Sequence, residues 1–301
     1  MFTQIAPVAL FVFNRFEHTR QTVESLKQNK YAADTELIIF SDGARSGADS
    51  DSVGRVREYI DSIDGFKKVT VVKSDVNKGL ATSILTGITQ VLQTHDRIIV
   101  LEDDMLTSPA FLSFMNQGLE MYHDDEKVIS VHGYVYPVKG SLPDTFFLKG
   151  AHCWGWGTWR RGWQLYERDS RKLLAQLTER NLQREFDYDG AYPFTRMLED
   201  QIKGLNSSWG IRWHATAFLN DKLTLYPGRP FVRNIGFDDS GVHSAGFDRV
   251  YDVTLELKEP ELKKINSRED QSARKLMSEF FYATRPTLMD RVILKLRRIL
   301  K

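Results

Sequence analysis

The chain has one cysteine, nine prolines in 301 residues, no long hydrophobic run and almost no net charge. The lone Cys153 excludes an intramolecular disulfide framework and suits a reducing compartment. No apolar run reaches the ~20 residues of a membrane-spanning helix. The first such run, Pro7–Phe13, follows no basic segment, so a secretory leader is not expected. Lys and Arg total 41 against 40 Asp and Glu, and a net charge of +1 argues against a general nucleic-acid binder. Also missing are Gly-x-x-x-x-Gly-Lys-Ser/Thr, Gly-x-Gly-x-x-Gly and Gly-x-Ser-x-Gly, and none of the seven histidines has zinc spacing with another His or Cys. These absences leave a soluble protein, expected in the cytoplasm.

What is present is ample material for a core: 42% hydrophobic and 12% aromatic residues in 34.7 kDa. The charge is unevenly placed. Residues 285–301 hold six basic side chains against Asp290 alone, so a mildly acidic body ends in a basic tail. Leu288, Met289, Val292, Leu296 and Ile299 recur there at helical spacing. Such a helix suits peripheral contact with an anionic membrane surface, or docking on its own domain or a second copy.

The N-terminal third alternates short apolar runs with amphipathic ones. Strands are predicted at 8–13, 37–40, 69–72 and 97–101, with helices at 16–29, 53–63 and 80–93 between them. This is the pattern of a parallel, helix-covered sheet, in which ligands bind beyond the carboxyl ends of the strands. Those ends carry Asn14-Arg15, Asp42-Gly43 and Glu102-Asp103-Asp104. Further on, helices are expected at 109–122, 171–186, 192–205, 255–264 and 269–282. Strands are expected at 128–131 and in part of 215–226.

Three consecutive acids repel one another unless something neutralises them. A hard divalent cation would do so, and Mg²⁺-type ions are commonly held by one or two carboxylates plus substrate phosphates, which points to a nucleotide diphosphate. The bland reading is a solvated acidic turn. Glu199-Asp200 is either an exposed helix pair or the source of a carboxylate that takes a proton from an attacking hydroxyl. His243, in a turn-rich segment between Gly236 and Ser244, could return to a metal site or be structural. Gly150–Trp163 interleaves glycine with four of the six tryptophans. It reads as a sugar-stacking surface or as an aromatic core element with tight turns. Asn77-Lys78-Gly79 before a helix reads as a phosphate-facing N-terminus or a simple turn.

Together these residues resemble a nucleotide-diphospho-sugar glycosyltransferase of the GT-A fold. The chain is similar to family 2 enzymes and, at Val100–Phe111, to the N-acetylglucosaminyltransferase I group. The likeness covers roughly residues 5–245 and implies a GT-A domain over 1–255, with 1–105 binding the nucleotide sugar and 106–255 the acceptor. Residues 256–301 form a helical extension. By resemblance, Asp104 is the metal-binding acid, joined by His243, and Glu102 and Asp103 reach the donor's sugar and ribose. Arg15, Asp42 and Lys78 border the nucleotide, and Gly155, Trp156, Gly157 and Trp209 lie on the acceptor side. Leu198-Glu199-Asp200 resembles the motif whose last acid is the base of inverting members. The triplet reads Glu-Asp-Asp rather than a simple Asp-x-Asp, and Gln201 follows where relatives vary.

The resemblance implies Mn²⁺ or Mg²⁺ as cofactor, a UDP-hexose or UDP-N-acetylhexosamine donor, and a saccharide or lipid-linked saccharide acceptor. Two other classes compete. A sugar nucleotidyltransferase would carry glycines after the first strand, where this chain reads Phe13-Asn14-Arg15-Phe16. A non-catalytic carbohydrate-binding module would not need acids at both Asp104 and Asp200.

Overall fold

A computed structural model describes residues 2, 4–237 and 250–285. In its N-terminal third each apolar run forms a strand and each amphipathic run a helix. The order is β1 (Val8–Val12), α1 (Phe16–Lys27), β2 (Glu36–Ser41), α2 (Gly47–Asp61), β3 (Lys68–Lys73), α3 (Leu80–Thr94) and β4 (Arg97–Glu102). β1 is buried along its whole length and β4 along all but its last residue, as strands covered by helices on both faces must be. The remainder comprises β5 (Met105–Thr107), α4 (Phe111–Met121), β6 (Val128–His132), β7 (Thr145–Lys149), β8 (Trp156–Trp159) and α5 (Arg160–Trp163). After these come α6 (Ser170–Glu179), α7 (Gln183–Phe186), α8 (Phe194–Ile202), α9 (Trp209–Leu219), β9 (Leu223–Pro227), β10 (Val232–Asn234) and α10 (Gln271–Ala283).

One sheet runs β3-β2-β1-β4-β8-β6-β9-β7, and β10 pairs with β5 in a separate ribbon. The first four strands are mutually parallel, and β8 enters antiparallel between β4 and β6. This is the mostly parallel, helix-covered α/β architecture expected. From β1 the chain steps outward to β2 and β3, then returns to place β4 on the other side of β1. The order therefore reverses at β1/β4, which opens a crevice beyond their carboxyl ends. Among the described residues, no helix is long and apolar enough to cross a membrane.

Two stretches depart from the sequence expectation. Residues 215–219, read as part of a strand, complete α9, which is buried at nine of its eleven positions. A helix apolar on nearly every side loses the 3.6-residue pattern that separates it from a buried strand. Residues 255–264 form an irregular strap rather than a helix. Their main chain is tied down elsewhere: Glu256 N–H donates to Pro230 O (2.8 Å), and Gln117 takes both Pro260 O (2.9 Å) and Leu262 N–H (3.2 Å). The strap leads to α10, whose Met277 and Phe281 share a core with Leu173, Phe194 and Leu198. Residues 286–301, the proposed basic helix, lie outside the described residues.

Beneath the crevice, His132, His152 and His214 stand in an aromatic layer, with ring centroids 6.0 Å (132–152) and 5.0 Å (152–214) apart. His132 Nδ1 lies 2.8 Å from the Tyr134 carbonyl and its Nε2 accepts the Trp154 N–H at 3.1 Å. That pair of bonds fits the neutral ring, because a proton on Nε2 would face a donor. Burial, reinforced by His152, pushes His132 down to about 3, and burial pushes His152 down to about 4. Since the unfolded ring titrates near 6.5, the unfolded chain takes up protons first as pH falls. His132 therefore stabilises the fold fully above pH ~6.5 and progressively less below it. The unfolding free energy of wild type minus that of His132→Gln should shrink by about 2 kcal/mol between pH 7.5 and 5. Urea titrations of both chains at each pH cancel every other titrating group. A difference that stays constant over this range would mean that His132 is not held neutral.

Candidate active site

The reversal at β1/β4 sets Arg15, three residues beyond β1, against the acids at the end of β4. Its Nη2 binds Asp104 Oδ2 at 2.8 Å, while Nη2 and Nε both reach Asp103, Nε at 3.3 Å. All three side chains are largely buried. Burial acts to lower the Arg15 pKa, but the two carboxylates outweigh it and hold the guanidinium above its ordinary range. Glu102 and Asp103 are both raised, chiefly by burial. Asp104 and Asp103 reinforce this at Glu102, and at Asp103 Arg15 opposes it. One arginine faces three carboxylates, a formal charge of −2 that the raised Glu102 and Asp103 reduce by holding protons.

The main chain of the triplet is anchored on both sides. Thr22 Oγ1 donates to Asp103 O (2.8 Å), and Ile235 N–H donates to Asp104 O (2.9 Å). The next residue is Gly236, where a Cβ would stand 2.1 Å from Asp104 Oδ2. Only glycine lets the chain close this tightly on the carboxylate. Asp104 Oδ1 is buried and has no hydrogen-bond partner among the described residues. An orphaned carboxylate oxygen suits a hard cation. Among the described residues, no group of three or more His, Cys, Asp or Glu is arranged to hold a metal. The orphaned Asp104 oxygen fits an ion that shares its coordination with substrate phosphates. His243 lies outside the described residues.

Asp42, at the end of β2, is committed to the chain. Its carboxylate accepts N–H from Gly43 (2.9 Å), Lys78 (2.8 Å) and Gly79 (2.9 Å). These bonds fasten the 77–79 turn, and with it the start of α3, to the sheet. The Lys78 and Gly79 amides are thus already taken, and the Lys78 side chain is exposed.

The tryptophan-rich segment divides differently from the acceptor-side expectation. Trp156 is 0% exposed, because β8 is an interior strand flanked by β4 and β6. Its ring stacks on Trp209 (5.6 Å) and meets Trp213 (5.3 Å), so it cannot lie against a sugar. Gly157 sits in the same strand, paired with Ile99 and Val131. Gly155 has φ +60°, and a Cβ there would stand 2.5 Å from Val232 Cγ2. The aromatic-core reading is the one that applies to these residues. Trp209 is also buried, yet from the first turn of α9 its side chain comes close enough to Glu102 to favour the charged carboxylate, against the stronger effect of burial.

Two neighbours of the site carried no decisive sequence signal. Cys153 lies close enough to Glu102 and Asp104 that their charges add to burial in raising its thiol, which stays protonated. Trp154 is partly exposed and packs edge-on against Phe237 (5.6 Å) and Tyr251 (5.8 Å). Both follow the Gly150 turn, but only the fold brings them beside β4. Asp200 lies on α8, 2.9 Å from Arg196 Nε without an aligned hydrogen bond, and Glu199 is 3.4 Å from the same guanidinium. Asp200 is 29% exposed.

The chain matches none of the curated proteins. Three solved structures are similar in outline. A mannosyltransferase, PcManGT from Pyrobaculum calidifontis, in complex with GDP-Man and Mn²⁺, is 13% identical, with 71% of this chain and 69% of that one covered and a TM-score of 0.39. TarS of S. aureus is 11% identical, covering 77% and 37%, with a TM-score of 0.44. A glucosyl-3-phosphoglycerate synthase of Mycobacterium tuberculosis, in complex with Mn²⁺, UDP and glucosyl-3-phosphoglycerate, is 12% identical, covering 55% and 58%, with a TM-score of 0.34. None of the three carries its donor or acceptor over to this chain. The sequence profile described as glycosyl transferase family 2 matches residues 8–173, more than half of the chain. With that match and the acids gathered at the β1/β4 reversal, the chain belongs to glycosyl transferase family 2 and is a glycosyltransferase of the GT-A fold.

Proposed function

We propose that the chain transfers a hexose or N-acetylhexosamine from a UDP donor to a saccharide or lipid-linked saccharide hydroxyl, with inversion at the anomeric carbon. The observation that carries this reading is the buried, undercompensated acid group at the strand-order reversal, with Asp104 Oδ1 orphaned inside it. A divalent cation held there by Asp104, and by His243 from the adjoining segment, would supply charge neutralisation to the diphosphate leaving group.

The chain's own residues do the rest. Arg15 holds Asp103 and Asp104 in place, and its guanidinium also matches the geometry of a phosphate. Asp42 keeps the turn before α3 rigid, so the nucleotide's side of the crevice is preformed. Trp209 approaches Glu102 from α9, bringing the acceptor half against the donor site. Asp200 accepts the acceptor hydroxyl's proton as that oxygen bonds to the anomeric carbon and the bond to the diphosphate breaks. Glu199 and Asp200 share Arg196, a mostly exposed side chain that can leave when substrate arrives. The basic segment 286–301 supports peripheral contact with an anionic membrane surface by its composition alone.

A nucleotide sugar at a hundred times its Kd should stabilise the chain by about 2.7 kcal/mol, a melting shift on the order of 5 °C. A thermal scan across nucleotide sugars with Mn²⁺ or Mg²⁺ measures this, and a flat response to all of them sinks the donor assignment. Asp104→Asn should abolish the cation-dependent part of that shift, measured against the variant's own melting temperature without ligand. Asp200→Asn should lower turnover by about 10²- to 10⁴-fold at an unaltered donor shift. Equal losses of donor binding and turnover would remove Asp200 from the role of base.

A further inference from the structure

A second pocket lies between α3, α6, α8 and the start of α9. It has a volume of about 350 Å³, within the range of small-ligand sites, and the first turn of α3 at Ala81, the start of α6 and the end of α8 at Gln201 all line it. Three of its side chains are arginines: Arg168, Arg171 and Arg212. Among the described residues, the guanidinium groups of Arg168 and Arg171 have no carboxylate partner. Among the described residues Arg212 donates to the Arg168 carbonyl (3.2 Å), and its buried Nε has no hydrogen-bond partner there. The one acid in the wall, Asp169, caps α6 by accepting the Arg171 amide (2.8 Å). The wall thus carries a formal charge of +2. The starts of α6 and α9 add positive helix ends to the wall, while the C-terminal end of α8 opposes them and the amides before α3 are held by Asp42.

Arg212 lies over the Tyr166 ring (5.9 Å), and the exposed Arg168 and Arg171 offer an incoming anion guanidinium groups without a carboxylate partner among the described residues. We propose that this pocket is an oxyanion subsite that takes a phosphate group carried by the acceptor. Charge favours phosphate over carboxylate: a phosphate monoester bears about −1.5 to −2 at neutral pH, which matches the wall, whereas a carboxylate bears half that. Arginine forks bind phosphate oxygens two at a time. The position favours the acceptor over the donor. Gln201, in the pocket wall, directly follows the candidate base Asp200, and Arg212 stands one helical turn from Trp209, whose side chain approaches Glu102. The acceptor assignment rests on the transferase reading above; the anion site does not.

The test is calorimetric titration of the full chain with inorganic phosphate, in the presence of Mg²⁺ and saturating UDP so that the donor's phosphate contacts are filled. Phosphate should bind, and raised ionic strength should weaken it. Acetate should bind at least tenfold more weakly. Arg168 and Arg171 are exposed, so the double variant Arg168→Ala/Arg171→Ala should fold normally. It should lose at least tenfold in phosphate affinity while keeping wild-type affinity for UDP. Arg212→Lys, which retains charge but loses the fork, should lose less. Three results would overturn the site: no phosphate binding by wild type, undiminished binding by the double variant, or binding that UDP abolishes. Failure of wild type to bind UDP would instead strike the transferase reading, and phosphate titration without UDP would still decide the pocket.

Discussion

The ion pair between Arg15 and the acids after β4 is the contact on which the site depends. Three carboxylates at the end of one strand would spread apart or take up protons if left alone. Arg15 spans two of them across the strand-order reversal and ties the ends of β1 and β4 together. Because one arginine faces three acids and burial keeps protons on part of the group, the site is held without being satisfied. Such a site has a standing affinity for cations, and Gly236 and Ile235 close the chain over it without adding a competing side chain.

The surroundings make that group rigid. β8 is wedged between β4 and β6, with Trp156 sealed among Trp209 and Trp213, so the strand that bears the triplet has a packed neighbour on each side. Asp42 spends its carboxylate on three main-chain amides, which fixes the turn leading into α3. Trp209 then reaches from α9 to Glu102 and couples the N-terminal sheet to the helices that follow. A preorganised site needs such a supporting shell, because side chains on free loops do not hold charge geometry in low dielectric.

Charge is also partitioned between two regions near the start of α9. The crevice toward β1 and β4 is acidic, and the pocket formed by α3, α6, α8 and α9 is basic. The near-neutral total conceals this arrangement. A substrate pair with a cation-bound diphosphate on one side and an anion on the other would be oriented by the field before any specific contact formed.

Much of this could be read from residue order. The β1–β4 run was legible because short buried strands and amphipathic helices have distinct periods, and Glu102-Asp103-Asp104 stood out because its acids are adjacent in sequence. Other features were not legible for equally physical reasons. α9 is buried on almost every side, so its first residues looked like sites and its last like strand. Trp156 read equally well as a sugar platform or as core, because stacking faces and core aromatics have the same composition. The strap at 255–264 has helix-compatible residues, yet its hydrogen bonds go to α4 and to Pro230. The sequence by itself determined the sheet's beginning, the acids and the family pattern, since these are local. Only the tertiary structure decided that Arg15 meets an acid 88 positions away, that Asp42 serves the main chain, and that Arg168, Arg171 and Arg212 share one wall. Each of these pairings joins distant segments, and burial and charge along a chain say which groups need partners without saying which partners folding will bring.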